Sequence, residues 1–293
     1  NRILPMRIVR YILMNRLNGE RRNNFMWMKE VFGTDKPVIG VLHMHAMPTD
    51  PKYDPVTGIE GVIEAARKDL HAYQDGGIDG ILFCNEFSIP YTPNVRTVTV
   101  ATMARVIGEL KSEIKVPFGV TVAADAMKGF DLAAAVGASF IRSVLHGAAA
   151  GVYGISDVHP GELERHRAEL GLMNCKTMTA IVPEGSRQIA ERPLKEVAKT
   201  LAFNLNPDTI LVYSDTPGSS IDVEQVKTIK EVTDTPVFAS NGVKPETIEE
   251  ILSVCDGAIV ATSTKFDGKF YNQVDIERVK KLMEKATMAR GDK

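Results

Sequence analysis

The stretch GGIDGILFCNE (76–86) leaves a helix end through two glycines, enters a short apolar run and finishes on a carboxylate. A glycine-closed helix followed at once by a β-branched or aromatic run is the short αβ loop of a repeating unit. The phrase returns as VGASFIRS (136–143) and CDGAIVAT (255–262). Working outward gives eight buried-strand runs: PVIGVLHM (37–44), GILFCNE (80–86), VPFGVTVAA (116–124), SFIRSVL (139–145), NCKTMTAIV (174–182), TILVYSD (209–215), TPVFAS (235–240) and AIVATS (258–263). Amphipathic stretches such as IEGVIEAARKDLHAYQDG, RTVTVATMARVIGELKS and IERVKKLMEKATM lie between or after them, with DLAAAVG as a short helix after the third strand. Asp222 is placed to cap DVEQVK, and Pro193 and Pro245 stand near helix starts. Eight uninterrupted units predict an α/β fold, a single (β/α)8 TIM barrel over 26–293, preceded by a basic extension over 1–25. A doubly wound sheet is the structural alternative; it would usually have fewer parallel strands, and nothing marks a second domain.

The chain length of 293 residues suits such a barrel, which typically takes about 250. A net charge of −2 speaks against a nucleic-acid-coating surface. No apolar run approaches the roughly 18 residues of a transmembrane span. Cys84, Cys175 and Cys255 stand far apart, as reduced thiols in a cytoplasmic protein do. The first 25 residues hold six arginines against Glu20. They read as a membrane-, partner- or targeting segment, or as a start-site artefact ahead of Met26 or Met28.

In a barrel the chemistry gathers at the strand C-termini. His43 and His45 end the first strand, Asn85 and Glu86 the second, Asp125 the third. Arg142 and His146 follow on the fourth, Glu184, Ser186 and Arg187 on the fifth, Tyr213 and Asp215 on the sixth. The expected roles are catalysis by Glu86, Asp125, Asp215 and His43, and substrate binding by His45, Asn85, Arg142, His146 and Tyr213. The loops after the last two strands form the expected phosphate site: Ser240, Asn241 and Gly242, then Thr262, Ser263 and Lys265. An HxH pair on a first strand also begins metal sites, since i and i+2 share a face. Partner histidines are missing from strands five and six and an aspartate from strand eight, so no metal or other cofactor is expected.

The phrases VIGVLHMHAMP, DGILFCNEFSIPY, GASFIRS and CDGAIVATSTKFDGKFYNQVDIERV carry a resemblance to the BtpA family, spanning about 27–283. The tail is its most specific part, with Asp256, Gly257, Thr262, Ser263, Lys265, Asp267, Gly268, Val274, Asp275, Arg278 and Val279 in family pattern. The resemblance implies a barrel, a glutamate after strand two (Glu86), an arginine in strand four (Arg142) and a phosphate-type loop after strand seven. One branch of the family is named for photosystem I biogenesis; another sits in sugar-utilisation gene clusters with a nucleosidase description. Two functions follow as expectations. One is an enzyme for a phosphorylated sugar or nucleoside, working as a homo-oligomer. The other is a non-catalytic assembly factor docked through the basic extension.

Overall fold

The computed structural model describes residues 25–213 and 221–291. The basic extension, apart from Phe25, and Asp215 lie outside the described residues. Eight parallel strands close a barrel: β1 (Val38–His43), β2 (Gly80–Cys84), β3 (Phe118–Thr121), β4 (Phe140–Ser143), β7 (Lys176–Ala180), β9 (Thr209–Val212), β10 (Val237–Ala239) and β11 (Gly257–Val260), in ring order β1-β11-β10-β9-β7-β4-β3-β2. The strands are shorter than the apolar runs because the runs continue into the loops that carry the polar residues.

The recurring aspartate before a strand explains the register. Asp79, Asp208 and Asp256 each accept the first or second backbone N–H of the preceding strand, from Val38 at 2.7 Å, Thr177 at 2.9 Å and Val237 at 2.9 Å. A donor left over at a strand start is thereby paired, and neighbouring strands are pinned at one end. Asp79 is also ion-paired with the buried Arg290 at 2.5 Å.

Ile39, Val41, Leu82, Cys84, Phe140, Met178, Leu211, Phe238 and Ile259 fill the barrel interior. Helix α1 (Met26–Phe32), where the sequence showed only a boundary, closes the N-terminal end with Trp27, Met28 and Phe32. The Phe32 ring stands edge-on to Phe140 at 5.5 Å. Helices α2 (Gly58–Asp75), α3 (Thr97–Leu110), α4 (Ala126–Val136), α5 (Pro160–Glu169), α6 (Leu194–Asn204), α7 (Val223–Lys230), α8 (Ile248–Val254) and α9 (Ile276–Arg290) form the outer layer. α4 is longer than the DLAAAVG segment, and α8 begins at Ile248, not at Pro245, after a turn.

One element is additional to the eight units. After β4 the chain forms a hairpin, β5 (Gly147–Gly151) and β6 (Gly154–Val158), and β5 also pairs antiparallel with β8 (Ser186–Gln188) beyond β7. Gly154, at φ 96°, turns the hairpin around Val152 and Tyr153. This small sheet walls one side of the barrel mouth.

Candidate active site

A cavity of about 1190 Å³ opens at the C-terminal ends of the strands. His43, Glu86 and Arg142 contribute to its floor, with Tyr213 and Ser240 beside them; Glu184 and 240–246 rise on one side, and the hairpin on another.

The floor is a charged cluster in a dry setting. Arg142 Nε donates to Thr121 Oγ1 at 3.2 Å, and Thr121 Oγ1 donates to the Arg142 carbonyl at 3.0 Å. Burial disfavours the guanidinium charge, but the ionised Glu86 beside it helps hold it protonated. Glu86 Oε1 accepts from Tyr91 Oη at 2.9 Å and Oε2 from the Cys84 thiol at 3.2 Å. Burial alone would raise Glu86, yet its pKa lies below the usual carboxylate range. His43 and Arg142 are the facing charges. Since His43 is itself neutral, Arg142 is the cation that keeps Glu86 ionised. The Cys84 thiol is pushed well up, first by burial and then by Glu86, so it stays a thiol and a donor.

His43 is buried and its pKa is lowered to about 3, chiefly by burial; Glu86 pulls it up, and the Lys265 and Arg142 charges push it further down. Its ring packs against Phe87 and Phe270 with centroids at 5.7 and 5.2 Å, and its Nδ1 has no hydrogen-bond partner. A buried polar atom without a partner is uncommon.

Glu184 behaves oppositely to Glu86. Water reaches it through the mouth, but the surrounding wall raises its pKa, and the Glu86 charge adds to the rise. Asn241 Nδ2 donates to its Oε1 at 3.4 Å and opposes it.

The loops after β10 and β11 bring Ser240, Asn241, Gly242, Thr262 and Ser263 to the cavity as expected. Gly242 sits at φ 68°, a conformation that favours glycine, and Ser263 Oγ donates to the Val243 carbonyl at 2.6 Å, tying the two loops together. Lys244, Arg278 and Lys281 line the same side. Arg278 and Lys281 went unread in the sequence as site residues. Their signal was the i, i+3 spacing in the first turns of the helix after strand eight, which puts both on one face.

Five expected site residues lie elsewhere. His45 falls two residues past the end of β1, where strand alternation no longer holds; it opens on a separate pocket of about 270 Å³ with Lys52, Tyr53 and Tyr271. Asn85 is buried, its Oδ1 accepting from Ala123 N at 2.7 Å as a brace between strand ends. Asp125 caps α4, accepting from Lys128 N and Val95 N at 3.1 Å each. His146 Nε2 bonds the Ala180 carbonyl at 3.0 Å. Lys265 is fully buried, its Nζ donating to the Phe270 carbonyl at 2.7 Å, so it is not presented to a phosphate. Among the described residues no three His, Cys, Asp or Glu side chains cluster as a metal site, and no helix is long and apolar enough to cross a membrane.

The model of the BtpA family matches residues 34–288. The sgc region protein SgcQ of Escherichia coli (strain K12) is 46% identical over 88% of this chain and 97% of its own. The photosystem I biogenesis protein BtpA of Synechocystis sp. is 30% identical over 89% of this chain and 91% of its own. Among solved structures, thiamine phosphate pyrophosphorylase from Pyrococcus furiosus aligns with a TM-score of 0.53 at 16% identity, covering 87% of this chain and 96% of that one. N-(5′-phosphoribosyl)anthranilate isomerase from the same organism aligns with a TM-score of 0.52 at 14% identity, covering 86% and 99%. At such identities the likeness concerns the barrel alone.

Proposed function

The chain belongs to the BtpA family, and from that premise we propose that it is an enzyme acting on a phosphorylated sugar or nucleoside at the barrel mouth. The observation that carries this is that two carboxylates, Glu86 on the floor and Glu184 at the rim, line one cavity, with surroundings that shift Glu86 down and Glu184 up. Two carboxyl groups so divided are how one site runs acid and base chemistry at the same pH. In glycosidic cleavage Glu184 gives its proton to the leaving group. The ionised Glu86 stabilises positive charge developing on the sugar ring or orients the attacking water. Neutral His43 contributes to the floor beside the sugar. Ser240, Gly242, Thr262 and Ser263, with Lys244, Arg278 and Lys281 behind them, take the phosphate.

The relative named for photosystem I biogenesis keeps an assembly role in view. Such a role leaves the buried Glu86–Arg142 floor without an occupant, and burying charge is costly unless something is gained by it. A small-molecule partner, a homo-oligomeric state and a cytoplasmic location belong to the enzymatic reading.

The test is sugar release from a panel of nucleosides, nucleotides and phosphosugars. Glu86→Gln and Glu184→Gln should each lower turnover by about 10²–10⁴-fold, while Asp125→Asn should not. Full turnover in both glutamine variants, or a wild-type protein with neither turnover nor a ligand-induced thermal shift, defeats the enzymatic reading.

A further inference from the structure

The wall facing the phosphate loops is apolar, and the chemistry above makes no use of it. In the ring, β4 stands diametrically across from β11, and β3 across from β10. The hairpin β5–β6 springs from β4, so it rises opposite Thr262 and Ser263. At and beside its tip, Val152, Tyr153 and Ile155 line the cavity yet are 82%, 50% and 67% exposed. Large apolar side chains that are exposed and also line a cavity suit an apolar part of a ligand. Tyr153 also meets Tyr91 with ring centroids 5.1 Å apart, and Tyr91 is the residue whose hydroxyl holds Glu86. The cavity's 1190 Å³ exceeds the roughly 300–1,000 Å³ that encloses a drug-sized ligand. A sugar phosphate anchored at the basic side would leave the hairpin side empty.

We propose that the ligand has two poles. Its phosphate lies at the β10 and β11 loops, its sugar above Glu86 and beside Glu184, and a planar apolar group lies against Val152, Tyr153 and Ile155. That describes a nucleoside monophosphate rather than a bare phosphosugar, and it makes the hairpin the specificity element. The assignment rests on the phosphate reading of the preceding subsection.

Calorimetric titration of the full chain with inorganic phosphate, ribose 5-phosphate, adenosine and adenosine 5′-monophosphate separates the two. The nucleotide should bind about ten-fold or more tightly than ribose 5-phosphate, since a base stacked on an aromatic side chain contributes that much. Tyr153→Ala with Ile155→Ser should bring the ratio near one, and Tyr153→Phe should keep it. Equal wild-type affinities for nucleotide and ribose 5-phosphate would overturn the hairpin subsite and leave the phosphate site standing. A nucleotide preference indifferent to the double substitution would also overturn it. Adenosine binding that depends on the hairpin, with no gain from phosphate, would support the subsite and overturn the phosphate anchor. No binding by any of the four overturns both.

Discussion

The cavity floor and the cluster beneath the turn after β11 are both buried and polar, but they are completed differently. Beneath the turn, Asp69 Oδ1 accepts from Val274 N at 2.8 Å, Tyr73 Oη donates to the Val41 carbonyl at 3.1 Å, and Thr264 Oγ1 donates to the Ala261 carbonyl at 2.6 Å. The Lys265 ammonium meets the Phe270 carbonyl and lies 4.8 Å from the Phe87 ring centre. On the floor, His43 keeps a nitrogen with no partner, and the Glu86–Arg142 charges face an open cavity. A polar cluster that closes on itself holds a fold together. One that leaves a buried nitrogen unpaired carries that cost, and the Glu86–Arg142 pair beside it lines an open cavity. Lys265 supports from below a turn whose Thr262, Ser263, Gly268 and Phe270 line the cavity, without lining it itself.

The two clusters should also respond to acid with opposite signs, and this is the sharpest way to break the comparison. His43 has a folded pKa of about 3 against 6.5 for an ordinary histidine. As pH falls below 6.5, the unfolded chain takes up the proton first. The stability held by neutral His43 is therefore complete above pH 6.5 and is lost progressively toward pH 3, by about 5 kcal/mol in all. Urea unfolding at pH 7, 5 and 4 should show His43→Gln losing much less than wild type across that range. Parallel losses in the two proteins would mean that His43 is not held neutral in the folded barrel.

Asp69 works the other way. Burial raises its pKa from 3.8 to about 6, against the pull of the Val274 N–H and Lys265. Here the folded protein takes the proton first as pH falls from 6 toward 4. Stability from this group is present below pH 4 and is lost as pH rises through 6, by about 3 kcal/mol. Asp69→Asn keeps the acceptor for Val274 N and removes the titration. Its acid loss between pH 6 and 4 should be steeper than that of wild type. An unchanged slope would place Asp69 among ordinary carboxylates and erase the contrast between the clusters.

How far these clusters could be read in the sequence follows from what each depends on. The barrel was legible because its signal is local and repeated. The IDG-type phrase carries the helix end, the aspartate that pairs the neighbouring strand start and the strand itself within a few residues. The mouth was legible as a place, since strand ends declare it, but not as a set of contacts. Whether a strand-end side chain turns inward depends on where the strand stops. β1 stops at His43, so His43 enters the cavity and His45 does not. Glu184 stood in plain view, but its raised pKa depends first on partial desolvation by the segments around the mouth and then on Glu86 from a different strand. The hairpin hid because GAAAGVYGISDV is glycine- and alanine-rich at its start and offers no clear period-two pattern. Its pairing with 186–188 closes over more than thirty residues, which no window along the chain reveals.

Asp125 provides the smallest effect and the cleanest test of the rule that a satisfied carboxylate is structural. It stands at the mouth end of β3, in a position that invites a catalytic role, yet both of its oxygens are occupied. Oδ1 accepts from Lys128 N in the first turn of α4, and Oδ2 accepts from Val95 N in the segment before α3. Asp125→Ala removes an N-cap and one further hydrogen bond, which should cost about 1 kcal/mol of stability. Asp125→Asn keeps one side-chain acceptor and should recover part of that. Neither should alter the affinity for ribose 5-phosphate or the nucleotide, because the side chain does not reach the cavity. A change in ligand affinity in Asp125→Asn, without a matching change in urea midpoint, would show that hydrogen-bond completeness does not separate structural from functional carboxylates in this barrel.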